Sequence, residues 1–415
     1  MKRSLVSAVL FGLVLAVGVG LLHAAGILLG VETAFLRSLS HHNVGTRAVG
    51  PVWQYFIILL LAFTISWLTL SSLRRSRIGL LSLALILELV AATWICSFYN
   101  IAFQPLPAIA VVALAFGLSE RWAVLSRRSR STLAVSFFRD RLSKGQMSRM
   151  IAGEIPLDTE PRVHEVTVVV CDIANKYDLA EETEPAEFAK TTEAFITRTT
   201  ELFLEADGYI QAADGEGVVA VFGFPGSRAD HADKAVRVAL GLIDSFNKTM
   251  QQNNGDPFGK CDVHMGVSSG TIIVAPLQNG ERPGLLTTGE PVELARRFCV
   301  ANRFYGSRVL IGPRTFELAS KHIVARPIDF LSGVNSQERH EIYEPLWLAA
   351  EAKPEHIARR DSFWNGVVLY REKRWAEAYT EFQKARGPEG DDDAPLQLYL
   401  RRLETLALHL TTAGE

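Results

Sequence analysis

Four apolar segments fill the first 120 residues of this 415-residue chain and restrict what that part of it can fold into. They cover residues 5–29, 52–73, 78–95 and 101–118. Each is close to the ~20 residues that a helix needs to cross a membrane. The sequence therefore predicts an α-helical membrane domain with four spans over residues 1–120.

Basic residues predict how these spans are oriented. Lys and Arg cluster at residues 2–3, 74–77 and 121–130. Four crossings place all three clusters on one side, which the positive-inside rule makes the cytoplasm. We therefore expect a multi-pass protein of the inner (plasma) membrane whose remaining residues are cytoplasmic. Alternatively, the first segment is a cleaved signal peptide, since residues 22–25 (LHAA) resemble a cleavage site.

Two features of the predicted membrane domain bear on what it could sense. Residues 30–51, between the first two spans, are too few for a folded external ligand-binding domain. Glu88 stands in the middle of the third apolar segment, where an ionised carboxylate is costly. We expect it to face other helices or to be protonated, either as a sensor or assembly contact or simply bonded to a neighbour.

Composition argues against two other kinds of site. The formal net charge is −2, so nothing favours nucleic-acid binding. The four cysteines are scattered without the spacing of a metal site: Cys96, Cys171, Cys261 and Cys299. Three of them fall in the predicted cytoplasmic part, where reduced thiols are the default.

Two stretches beyond the membrane domain carry carboxylates at informative positions. Residues 166–173 (VTVVVCDI) read as a buried strand that ends near Asp172. Residues 207–225 (DGYIQAADGEGVVAVFGFP) read as a hairpin with Glu216 in its turn. Carboxylates at a strand end and at a hairpin turn can meet on one sheet edge, which is how a two-metal phosphoryl-transfer site can be built.

Further fragments follow in order: Asp230-His231-Ala232 opening a helix, MGVSSG at 265–270, and TTGEPVELARRF at 287–298. Together with the two stretches above, they make residues 163–349 resemble the class III adenylate and guanylate cyclases. The resemblance implies an α/β ferredoxin-like domain of the βαββαβ type. It also implies a dimer that converts ATP or GTP into a cyclic nucleotide such as cAMP and pyrophosphate, with two Mg²⁺ or Mn²⁺ ions.

The metal half of such a site carries over with one change. Asp172 matches the first metal-binding aspartate, and the main chain of Ile173 would help as a ligand. Glu216 falls on the second aspartate and is one methylene longer. Asp214, two residues earlier, is a weaker substitute.

The half that a partner subunit would supply is more altered. The base-reading Lys and its acidic companion are replaced by Ala212 and Leu286, neither of which can make a side-chain hydrogen bond. The ribose-orienting Asn is replaced by Glu293, which would repel a triphosphate. Arg297 keeps the position of the transition-state Arg, with Arg296 beside it.

The turn after the first aspartate differs as well. Asn175 replaces the glycine of the family's phosphate loop, and Lys176 follows it. Plain structural roles stay open for the matched residues: a strand-end turn for Asp172, a solvated turn carboxylate for Glu216, and a surface or dimer salt bridge for Arg297.

Three functions fit this pattern. The first is a regulatory pseudoenzyme in cyclic-nucleotide signalling, whose homodimer is weakly active or inactive. The second is an active cyclase with unusual base recognition. The third is a heterodimer, in which this chain brings the metal ligands and another cyclase brings the missing groups. A diguanylate cyclase is disfavoured because its Gly-Gly-Asp/Glu-Glu-Phe turn is absent.

Two helical segments flank the cyclase-like domain. Residues 121–162 predict a helical connector with an apolar stripe, and residues 350–415 predict a short tail resembling one tetratricopeptide hairpin, or a plain helical cap. A lone repeat must dock on its own domain or on a partner. Inside the domain the predicted elements are strand 166–172, helix 185–206, hairpin 208–223, helix 231–251, strands 261–268 and 271–275, helix 290–304 and strand 308–311.

Overall fold

The structure is a computed structural model and describes residues 2–39, 47–71, 75–99, 101–157, 160–252, 257–279, 282–334, 338–387 and 393–412. The chain divides into two compact units, Met1–Ser131 and Thr132–Glu415. Each has its own buried apolar clusters.

The first unit is helical. Its elements are α1 (Lys2–Ala24), α2 (Leu29–Leu39), β1 (Arg47–Ala48), α3 (Pro51–Ser71), α4 (Arg75–Phe98), β2 (Ile101–Ala102) and α5 (Leu106–Phe138), which continues past the unit's end. Among the described residues, three helical stretches are long and apolar enough to cross a membrane: Pro51–Leu70, Ser76–Phe98 and Leu106–Phe138. The first predicted span is instead two helices bent by 83°, which would make a fourth crossing if they span together.

Charged and polar groups within this unit are unevenly placed. Glu88 lies on α4 with an exposed side chain, and its facing other helices or being protonated stays a prediction. Glu32 is buried, with His23 Nε2 3.9 Å from its Oε2. The predicted external segment 30–51 falls partly on residues 40–46, which lie outside the described residues.

The core of the second unit has the βαββαβ order. It consists of β3 (Arg162–Ile173), α7 (Lys176–Glu182), α8 (Pro185–Glu205), β4 (Tyr209–Asp214), β5 (Gly217–Phe222), α9 (His231–Gln252), a 3₁₀ turn (Pro257–Lys260) and β6 (Val263–Asn279). These four strands lie in the order β4-β5-β3-β6, with antiparallel neighbours. This is the ferredoxin-like arrangement that the sequence predicts.

The sheet continues beyond β6. The added elements are β7 (Arg282–Thr288), α10 (Glu290–Tyr305), β8 (Val309–Ile311), α11 (Pro313–Ala319), β9 (Ile323–Ser332) and β10 (Arg339–Leu348). Strand β8 pairs parallel with β6, β10 and β9 follow antiparallel, and β7 pairs antiparallel with the far end of β6. The sheet is therefore mixed.

Strand β3 is central and is covered on both faces. Val169 and Cys171 join the cluster of α8 and α9, whereas Val168 and Val170 pack with Met150 of helix α6 (Lys144–Ala152) on the other face. A strand buried on both sides needs apolar residues without alternation. This explains the run of β-branched residues that marks the strand in the sequence.

One predicted break in the sheet is wrong. Segments 261–268 and 271–275 form the single strand β6, without a turn at residues 265–270. The two glycines serve helix packing, because a Cβ at Gly266 would lie 2.0 Å from the carbonyl oxygen of Ala295, and one at Gly270 would lie 2.8 Å from Pro291 Cγ. Both contacts belong to α10, which therefore lies directly on β6.

One serine of this segment, Ser269, belongs to a buried polar network. Ser269 Oγ lies 2.7 Å from Thr167 Oγ1 and 2.9 Å from Thr315 Oγ1. Thr167 Oγ1 is also 2.7 Å from Nδ1 of His231, the residue that opens α9. Burial lowers the pKa of His231, so the ring is held neutral within this network.

The tail forms three helices: α12 (Pro354–Arg371), α13 (Trp375–Lys384) and α14 (Ala394–Thr412). Phe363, Phe382 and Tyr399 share one buried cluster with Phe298 of α10 and with residues of β8, β9 and β10. The tail thus docks on its own domain, one of the two expected alternatives, as a helical hairpin followed by a third helix. Its tetratricopeptide character stays a prediction.

The predicted connector contains two helices with a break between them, and its described residues after Ala152 are not helical. Helix α5 ends at Phe138, and α6 begins after Ser143, whose Oγ accepts a hydrogen bond from the main-chain N–H of Gln146. Phe138 packs against Tyr209 and Phe224, which anchors the end of α5 in the second unit's core.

Candidate active site

The end of β3 supplies the first carboxylate. Asp172 is paired with His264 of β6, and its Oδ1 accepts a hydrogen bond from the main-chain N–H of Ile173 at 2.8 Å. Its side chain is 28% exposed. The carboxylate therefore stands at the rim of the sheet, half-buried and with a fixed orientation.

The β4–β5 turn brings the second carboxylate to the same rim. Gly217, which ends the turn, has a φ of +105°, and a Cβ there would lie 2.3 Å from the carbonyl oxygen of Cys171. Only glycine fits that approach, so the turn is pressed onto the end of β3. Glu216 lies in the turn with a side chain that is 84% exposed. Asp214 is exposed and accepts a hydrogen bond from the main-chain N–H of Glu216 at 2.9 Å.

Lys176 fills the space between these carboxylates. Its Nζ lies 3.1 Å from Asp172 Oδ2, 3.4 Å from the carbonyl oxygen of Gly215 and 3.9 Å from Glu216 Oε2. Its side chain is only 16% exposed. The structure thus brings the predicted metal ligands Asp172 and Glu216 together around an ammonium group.

The pKa values of both members of this pair are raised, which favours the neutral acid at Asp172 and the charged ammonium group at Lys176. Burial raises the pKa of Asp172, which favours the neutral acid, although the hydrogen bond from Lys176 opposes it. Burial would lower the pKa of Lys176, but pairing with Asp172 outweighs burial and raises it. We favour the charged pair, because three oxygen atoms surround the ammonium group and each stabilises its charge.

Asn175 fixes the loop that carries Lys176. Its Nδ2 donates to the carbonyl oxygen of Lys260 at 3.0 Å, and its Oδ1 accepts from the main-chain N–H of Asp262 at 2.8 Å. These two bonds tie the start of α7 to the segment before β6. The side chain at the family's glycine position therefore has a structural role.

Helix α10 carries the retained arginine. Nε of Arg297 donates to Glu293 Oε1 at 3.2 Å, and its Nη1 donates to the carbonyl oxygen of Gly333 at 2.7 Å. Both side chains are partly exposed, and Arg296 is exposed beside them. Glu293, at the ribose-orienting position, is therefore paired with Arg297, at the transition-state position.

The two base-reading positions lie on β4 and β7, which do not pair with each other in the sheet. Ala212 is half-buried on β4, and Leu286 is exposed on β7. Gln211 Nε2 donates to the carbonyl oxygen of Thr287 at 3.4 Å and links the two strands. Neither position offers a polar side chain to a purine.

Sequence reasoning missed two features of this region. Lys176 was noted only as the neighbour of Asn175, although its spacing of four residues from Asp172 was a signal for an ion pair. Glu290, Glu338 and His340 also lie with their donor atoms within 4.8 Å of one another, and they could hold a metal ion. Nothing in their sequence spacing predicts that cluster, because a long stretch of chain separates Glu290 from the other two.

Comparisons with known proteins cover this unit. Residues 159–321 match the sequence model of the adenylate and guanylate cyclase catalytic domain. An uncharacterized protein of Mycobacterium tuberculosis is 27% identical over 161 residues, which are 39% of this chain and 27% of that protein. Adenylate cyclase 1 of Rhizobium meliloti is 26% identical over 183 residues, 43% of this chain and 27% of that protein.

Among solved structures, the adenylyl cyclase CyaB from P. aeruginosa is similar to 47% of this chain and 100% of that one, with 21% identity and a TM-score of 0.41. The chain spans about a quarter of the length of the curated relatives named above.

Proposed function

We propose that this chain, whose residues 159–321 match the adenylate and guanylate cyclase catalytic domain, is a membrane-anchored pseudo-cyclase. It acts in cyclic-nucleotide signalling as a regulatory or scaffold subunit, and its homodimer has little or no turnover. The four apolar segments anchor it in the inner (plasma) membrane, and the cyclase-type domain is cytoplasmic.

One observation carries this proposal: Glu293 holds Arg297 on the surface of α10. In the family these positions carry an Asn for the ribose and an Arg for the transition-state charge. Here the guanidinium group is shared between a carboxylate and the carbonyl oxygen of Gly333. An incoming triphosphate would have to separate that pair and would meet the negative charge of Glu293.

Substrate selection is weakened at the same time. A site that reads a purine needs a donor and an acceptor at fixed places, and an unpaired polar edge of the base loses binding energy. Ala212 and Leu286 supply neither group. Removing a single charge-stabilising donor commonly costs ~10²–10³-fold in rate. Several such losses together are sufficient for a silent homodimer.

A heterodimer is a second candidate, and the shared position of Asp172 and Glu216 at one rim of the sheet favours it. This chain would then supply the metal side to a partner cyclase that carries the Lys, Asp and Asn. The reciprocal site, lined by Ala212, Leu286 and Glu293, would stay silent.

The test is cyclic-nucleotide formation by the full chain in lipid nanodiscs, with Mn²⁺ and either ATP or GTP. We expect the wild type to be indistinguishable from Asp172→Asn. Turnover by the wild type that Asp172→Asn abolishes would refute the pseudo-cyclase proposal and favour the active cyclase. Turnover that appears only when a second, different cyclase is co-reconstituted would favour the heterodimer.

A restoration series locates the defect. The triple variant Ala212→Lys, Leu286→Asp and Glu293→Asn repairs the partner side, and it is compared with the same variant carrying Lys176→Met. A gain in the triple variant that Asp172→Asn removes would place the wild-type defect in those three positions, whereas a gain seen only with Lys176→Met added would place part of it at Lys176. The matched control, Lys234→Met, removes a lysine that pairs with Asp207 outside the site.

A further inference from the structure

The centre of the predicted metal site is occupied by part of the protein itself. Lys176 follows Asp172 by four residues, and the first turn of α7 directs its side chain back to the rim. Around Nζ lie Asp172 Oδ2, the carbonyl oxygen of Gly215 and Glu216 Oε2. These are the hard oxygen donors that a divalent ion would use.

Neighbouring contacts fix the position of the Lys176 ammonium group. The lysine side chain is mostly buried, and the two hydrogen bonds of Asn175 fix the backbone from which it projects. The turn that offers the Gly215 oxygen is fixed too, because Gly217 is pressed against Cys171. The loop that carries Lys176 and the β4–β5 turn that carries Gly215 are therefore both held in place by contacts with neighbouring main chain.

The residues present do not fit the implied ions. Mg²⁺ requires oxygen ligands at ~2.0–2.1 Å in octahedral geometry, whereas the oxygen atoms here surround a nitrogen at 3.1–3.9 Å. The formal charge of the site also argues against a bound divalent ion. Two carboxylates and one ammonium leave a formal charge of −1, and a divalent ion would also meet the repulsion of Lys176 at short range.

We propose that Lys176 is the resident cation of this site and takes the position of the divalent ion. The wild-type domain then does not bind Mg²⁺ or Mn²⁺ through Asp172 and Glu216. This inference rests on the proposed function and deepens it, because it adds an internal block on the metal side to the altered partner side.

The experiment is a titration of the full chain with Mn²⁺ alone, in nanodiscs of zwitterionic lipid, read by calorimetry and by electron paramagnetic resonance of free Mn²⁺. Four proteins are compared: wild type, Asp172→Asn, Lys176→Met, and the double variant Lys176→Met with Asp172→Asn. Methionine keeps an apolar stem and removes the charge. Lys234→Met is the control for loss of a paired lysine elsewhere.

We expect wild type, Asp172→Asn and Lys234→Met to bind Mn²⁺ equally. Lys176→Met gains one site, at least tenfold tighter than any wild-type binding, and the double variant loses it. Mn²⁺ bound by Glu290, Glu338 and His340 does not affect the result, because it is the same with and without Asp172→Asn and the test compares those two proteins.

Two results would overturn the inference. One is a wild-type Mn²⁺ site that Asp172→Asn removes. The other is a Lys176→Met protein with wild-type circular dichroism and no new site. If Lys176→Met fails to fold, the comparison of wild type with Asp172→Asn still decides. A wild type that binds Mn²⁺ at a site removed by Asp172→Asn, without turnover, would overturn this inference alone and leave the pseudo-cyclase proposal standing.

Discussion

Arg326 offers a stability test of how the tail is joined to the domain. It lies on β9 and is 6% exposed. Its guanidinium group donates to Glu344 of β10 at 2.8 Å and to both carboxylate oxygens of Asp393, just before α14, at 2.6 and 2.7 Å. It also lies 4.4 Å from the ring centre of Phe363. The change Arg326→Met removes all of these contacts and leaves the mostly buried carboxylate of Glu344, 13% exposed, without this cation.

The expected loss follows from that stranded carboxylate. Removing one partner of a buried ion pair costs ~3–5 kcal/mol. Protonation sets an upper limit, because a buried carboxyl group can take up a proton instead of staying charged. From an ordinary pKa of 4.5, protonation of Glu344 costs about 4 kcal/mol at pH 7.5 and about 1.4 kcal/mol at pH 5.5, at 1.36 kcal/mol per unit.

Burial already raises the pKa of Glu344 in the folded wild type, and loss of Arg326 raises it further. The folded variant therefore keeps a proton that the unfolded chain releases, and the penalty grows as pH rises above 4.5 towards the folded pKa. We expect a destabilisation of about 3 kcal/mol at pH 7.5 that shrinks to about 1 kcal/mol at pH 5.5.

The assay is urea unfolding of the full chain in detergent micelles at both pH values, read by pulse proteolysis of the second unit. Adding Glu344→Gln to Arg326→Met should restore most of the loss, because it removes the stranded charge. Arg374→Met, which breaks an exposed pair with Glu377, should leave stability unchanged. Equal losses at the two pH values, or a double variant no more stable than the single one, would refute the reasoning.

Three further predictions concern other parts of the chain. Gly217→Ala should lower the free energy of unfolding by at least ~2 kcal/mol, because of its positive φ and the main-chain clash with Cys171; a loss of no more than a few tenths in the same urea assay would contradict this. His231→Asn should flatten the fall in stability between pH 7 and pH 5 by at most about 1.4 kcal/mol per pH unit, since the lowered pKa of His231 costs stability as pH drops below 6.5; an unchanged slope would show that this ring does not contribute. Reporter fusions after Arg77 and Arg130 should read cytoplasmic and one after His41 external, and a cytoplasmic reading after His41 would exclude four spans.

The ferredoxin-like core could be predicted because its signals are local and repeated. Strand β3 shows a β-branched run, the β4–β5 hairpin shows a glycine turn, and α8 and α9 show helical periodicity. The break assigned within β6 was wrong because glycine and serine usually mark turns. Gly266 and Gly270 are instead required by the close packing of α10 on β6. Because α10 lies further along the chain, the local sequence pattern does not indicate this contact.

The sequence placed candidate residues at the site but did not predict the bonds among them. The resemblance to the family assigned roles to Asp172, Glu216, Glu293 and Arg297, and these roles stay predictions. Whether a charged side chain meets a substrate or a neighbour depends on rotamers and on the loop geometry, which spacing does not encode. The i, i+4 relations of Asp172 with Lys176 and of Glu293 with Arg297 were visible, and both turn out to be ion pairs.

The buried cluster that the tail shares with α10 also determines which fragments of this protein can fold. Phe298 of α10 packs against the aromatic residues of α12, α13 and α14 and against β8 to β10. The family match ends at residue 321, before β9 begins. A fragment limited to the matched segment would lack the residues that cover the apolar face of α10, and the exposed apolar surface would favour aggregation. We therefore expect helix α10 and the tail to behave as one cooperative unit in melting, amide hydrogen exchange and resistance to proteases.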